Sequence, residues 1–77
     1  MDVNVTQMFD GNSWALTDLL GRDMGTVKEI RPGIFMIEPA GKAVQTFSAF
    51  QSVSYTSVDA ALAAIEEHTR GQCRRVA

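Results

Sequence analysis

Tyr55-Thr56-Ser57-Val58-Asp59-Ala60-Ala61-Leu62-Ala63-Ala64-Ile65-Glu66-Glu67-His68-Thr69-Arg70-Gly71 is the stretch on which the fold turns. Ser57 or Thr56 caps a helix over about 57–69, and Asp59 complements the positive end of its dipole. Val58, Ala61, Leu62 and Ile65 recur along one apolar stripe, while Ala60, Ala63 and Ala64 allow close approach on its flanks. Glu66 precedes Arg70 by four residues, a favourable helical pair, and Gly71 is placed to end the helix. One amphipathic helix needs a surface to cover, and the preceding residues supply short apolar runs between turns.

Working back from the helix, Gly25 to Gly41 carries the clearest sheet signal. Thr26–Ile30 is rich in β-branched residues, Arg31-Pro32-Gly33 is a turn with Gly positioned for positive φ, and Ile34–Glu38 is a second run. Pro39-Ala40-Gly41-Lys42 turns again, and Ala43–Phe47 reads as a third run, with a shorter one in Gln51–Tyr55. Residues 13–20 fit two readings. Trp14 and Leu16 alternate as in a strand, whereas Ser13, Leu16, Leu19 and Leu20 also fit a short helix stopped by Gly21. The hairpin partner that follows favours the strand. Residues 1–12 read as a flexible lead-in or edge strand, and 72–77 as a flexible basic tail beyond a domain spanning 13–71.

Size and composition narrow the function classes. Seventy-seven residues with one cysteine make one small domain with no intrachain disulfide framework. No apolar run approaches the roughly 20 residues that cross a bilayer. The start, Met1-Asp2-Val3-Asn4, lacks the basic and apolar regions of a signal peptide, so a cytoplasmic setting is expected. The net charge of −2 is unevenly spread: −3 over 1–24, +1 over 25–56, −3 over 57–69 and +3 over 70–77.

The residues that carry chemistry are few. His68 and Cys73 stand on either side of the helix stop, and nothing orients them as a base and nucleophile. One His and one Cys do not make a four-ligand zinc site, and no carboxylates have metal-loop spacing. Neither catalytic residue, metal nor cofactor is expected. Gly21-Arg22-Asp23-Met24-Gly25 lacks the lysine of a phosphate loop and reads as a hairpin connection. Arg70, Arg74 and Arg75 near Cys73 would favour its thiolate if the tail were exposed. Phe35, Phe47, Phe50 and Tyr55 lie beside Lys28, Arg31 and Lys42; most of these rings are expected in the core, with Phe50 the one available as an exposed contact.

Two resemblances meet in these residues. Leu20-Gly21-Arg22-Asp23-Met24-Gly25-Thr26-Val27 resembles the opening hairpin of PRC-barrel-type domains, which implies a β-rich module used in protein contacts. Tyr55-Thr56-Ser57-Val58-Asp59-Ala60-Ala61 resembles the "Tyr-x-Ser-x-Asp-x-Ala" helix start in small uncharacterised bacterial proteins built as a meander followed by one C-terminal helix. Sheet-plus-helix DNA binders of the phage-integrase arm type share that element order; Glu29 and Glu38 depart from their basic sheet.

The expected fold is therefore α+β: an antiparallel three- or four-stranded meander packed against a single C-terminal helix. The expected core is Trp14, Leu16, Val27, Ile30, Phe35, Ile37, Val44, Phe47, Tyr55, Val58, Ala61, Leu62 and Ile65. Because one helix covers one face, Ile34 and Met36 on the other face, with Phe50, are the interface candidates of a non-enzymatic, homodimeric or protein-binding module. The alternative is a nucleic-acid binder using a three-stranded sheet and the basic tail, through Lys28, Arg31, Lys42, Arg70, Arg74 and Arg75.

Overall fold

The structure, a computed structural model, describes residues 2–9, 11–41, 43–50 and 53–76. Among these, six strands build one sheet: β1 (Val3–Gln7), β2 (Ser13–Thr17), β3 (Asp23–Arg31), β4 (Ile34–Pro39), β5 (Ser54–Tyr55) and β6 (Cys73–Val76). Their order is β5-β4-β3-β2-β1-β6. All neighbours are antiparallel except β1 and β6. A short helix, α1 (Ala43–Thr46), and a 3-10 turn, Ser48–Phe50, join β4 to β5. The long helix α2 (Val58–Thr69) then connects the two edge strands. The fold is α+β, with a sheet larger than the expected three or four strands.

The β1–β4 meander follows from its turn residues. Gly33 takes φ +78°, as the third position of a type II turn requires, and its N–H donates to Glu29 Oε2 at 3.0 Å. Between β2 and β3, Asp18 Oδ1 accepts the Leu20 and Arg22 N–H groups at 2.9 Å each. The Arg22 backbone donor, first among several, holds the Asp18 carboxyl below its ordinary range. Ser57 caps α2 by accepting the Ala60 N–H at 3.0 Å, and Arg70 ends it in the left-handed conformation.

Strand alternation and register place two adjacent rows, Val5–Leu16–Gly25 and Trp14–Val27–Ile37, on one face of the sheet. That face is covered: Val5, Leu16, Val27 and Ile37 are buried in one cluster with Phe47 of the β4–β5 connection and with Ala61, Leu62 and Ile65 of α2. Trp14 and Phe35 extend the cluster, their ring centroids 5.8 Å apart.

Four expectations are corrected. The run Ala43–Phe47 is helical, not a third meander strand, and carries Ala43 and Phe47 inward while Val44 stays 42% exposed. Ile30 is also exposed, because a bulge shifts the register between Glu29 and Arg31. Residues 3–7 form an inner strand rather than an edge: β1 lies between β2 and β6, with Val3 and Val5 buried. Residues 73–76 are not a loose tail but β6, paired in parallel with β1 from Val3–Cys73 to Thr6–Val76. Parallel neighbours need a crossover connection, and α2 provides it.

Candidate functional site

The opposite face of the sheet holds the side chains that alternate with the core rows. Lys28 pairs across β3 and β4 with Met36, and Thr26 pairs with Glu38, so these four form a square patch. Ile34 extends it along β4, and Ala15 adjoins Thr26 from β2. Among the described residues no helix packs on this face. Lys28, Ile34 and Glu38 are exposed, and Met36 and Thr26 half-buried. The face is more polar than the expectation of an apolar surface: threonine and alanine occupy much of its centre, and its larger apolar side chains are Met36 and Ile34 on β4 and Val76 on the far edge strand.

Phe50 does not join Ile34 and Met36. It is buried, not exposed, because the 3-10 turn folds its ring inward, 5.6 Å from Phe47 and 5.1 Å from His68. The signal available in the sequence was the three-residue spacing from Phe47, which a tight turn places on one side.

The basic candidates are dispersed. Lys28 and Arg74 lie on the open face, with Arg74 3.9 Å from Asp2. Arg31 sits at the β3–β4 hairpin. Arg75 alternates to the covered side and pairs with Asp59 of α2. Arg70 is at the far end of α2. Lys42 lies outside the described residues. Those described do not form one basic stripe of the kind that tracks a phosphate backbone.

His68 packs edge-on to Phe50 and to Phe47, at 5.1 and 6.3 Å, beside an open depression of about 470 Å³ lined by Phe50, Ala64, Glu67, His68 and Arg70. Cys73 points toward α2 instead: its Sγ donates to the Leu62 carbonyl at 3.6 Å, and its N–H donates to Glu66 Oε2 at 2.9 Å. Glu66 thus closes an outward-facing donor of edge strand β6, a role its sequence spacing did not reveal. Among the described residues, no three His, Cys, Asp or Glu side chains converge as metal ligands.

The flanking arginines do not activate Cys73. Burial first, then the Glu66 and Asp2 charges, push its thiol up to about 11. A rise of two units lowers the thiolate fraction about 100-fold at pH 8. Because a thiolate of higher pKa is intrinsically more nucleophilic, iodoacetamide at pH 8 should label the native protein about tenfold more slowly than the urea-unfolded chain. Equal rates would contradict the placement of Cys73. The pH sign is fixed by the same shift: stability carried by the neutral thiol is full below about pH 9 and is lost as pH rises through about 11.

No protein-family model matches the chain, nor does any curated protein or solved structure. Among the described residues no helix is long and apolar enough to cross a membrane.

Proposed function

We propose that this domain is a non-enzymatic interaction module that self-associates through its open sheet face in a reducing, cytoplasmic setting. The observation that carries the reading is that α1, the 3-10 turn and α2 share one buried cluster with one face, leaving Ile34 and Met36 on the other. Sheets that bury apolar side chains on one face tend to keep the solvent face polar, so a methionine and an isoleucine beside small neighbours point to contact. The dispersed arginines weigh against the nucleic-acid alternative.

Light scattering across a concentration series, with and without reductant, tests this. The expected result is a reductant-independent dimer of the 8.4 kDa chain. Met36→Asp should raise its dissociation constant at least about tenfold, because a charge would be buried without a partner. A strict monomer that binds nucleic acid in a salt-dependent manner would replace this reading with the alternative.

A further inference from the structure

The open face says more than that something covers it: its charges fit a second copy of the same chain. Lys28 and Glu38 are diagonal across the square patch, and Thr26 and Met36 form the other diagonal. With strands about 4.8 Å apart and about 3.4 Å per residue, Lys28 and Glu38 stand about 8 Å apart. Both are exposed, and among the described residues neither takes part in an ion pair.

Two identical faces that meet are related by a two-fold axis lying between them, so that residue i meets j and j meets i. An axis along the Thr26–Met36 diagonal sets Lys28 of each copy over Glu38 of the other. The same axis stacks Met36 on its counterpart and Thr26 on its counterpart, with the small Ala15 alongside allowing close approach. A partner of one charge sign would meet repulsion at one corner of the patch; a second copy satisfies both corners at once. We infer that the occupant of the open face is a second copy of this chain, held in register by two reciprocal Lys28–Glu38 ion pairs around a Met36–Met36 contact. This rests on the self-association proposed above and specifies its geometry.

The test is charge reversal, read by sedimentation and light scattering. Lys28→Glu alone and Glu38→Lys alone should each weaken the dimer at least about tenfold, since each places like charges at both corners. The double variant Lys28→Glu/Glu38→Lys should recover it. An equimolar mixture of the two single variants should form a heterodimer, because every corner is then again matched; this arm also guards against misfolding of a single variant. A wild-type dimer insensitive to both reversals would overturn this interface while leaving self-association intact. A wild-type monomer at every concentration would overturn both.

Discussion

Phe47→Ala is expected to leave the chain largely unfolded at 25 °C. Phe47 is fully buried and is the largest such side chain described in the core. It is the anchor that holds α1 and the 3-10 turn on the sheet, with Phe50 and His68 resting on its ring. Removing a buried phenylalanine costs about 3–5 kcal/mol in transfer free energy and residual cavity. A domain of this size has a net stability of about 3–5 kcal/mol, so the substitution consumes most of it. Far-UV circular dichroism and the fluorescence of Trp14 in a urea series would show the loss of the cooperative transition. Val44→Ala is the control: that side chain is exposed and should change stability by no more than about 0.5 kcal/mol. A Phe47→Ala protein that melts like the wild type would mean the β4–β5 connection is not part of the core.

The second large effect is Gly25→Ala, expected to cost about 3 kcal/mol or more. Gly25 adopts φ +135°, which L side chains rarely take, and an added Cβ would lie 2.3 Å from the Glu38 carbonyl oxygen and 3.0 Å from Pro39 Cα. Both obstacles are backbone, so no side-chain rotation relieves them; β3 and β4 would have to part at the end where Gly25 faces Pro39. Gly33→Asn offers the contrast. Its φ is also positive, but nothing lies within 4 Å of a Cβ there, and asparagine tolerates the left-handed region. It should change stability by less than about 1 kcal/mol. Thermal melts of the two variants, with hydrogen exchange at Thr26 and Val27, distinguish a steric from a purely conformational cause. Equal effects at both glycines would remove the argument from close approach.

These two residues also mark where local sequence was and was not sufficient. The α2 helix was legible because cap, stripe and stop agreed within one segment, and the β3–β4 hairpin because Pro32-Gly33 dictates its turn. Residues 43–47 misled because positions i and i+4 share a face under both helical and strand periods; Ala43 and Phe47 point inward either way, and only Val44 separates the two. Ile30 misled because alternation fails at a bulge. On β6, Arg74 and Arg75 give almost no strand signal, since its apolar support comes from Val3 and Val5 at the other end of the chain. The open face was legible in the alternation of Ile34 and Met36, but its central square was not, because Lys28 and Glu38 become neighbours only through the register of β3 and β4.

The pairing of β6 with β1 also has a consequence for synthesis. Val3 emerges from the ribosome 70 residues before its partner Cys73. At about 5–20 residues per second, that interval is roughly 4–14 s. Throughout it, the outer edge of β1 has unmatched backbone donors and acceptors beside two valines, the arrangement that recruits foreign strands. The nascent chain is therefore most exposed to aggregation before its last strand arrives, and slowing translation within α2 would lengthen that window.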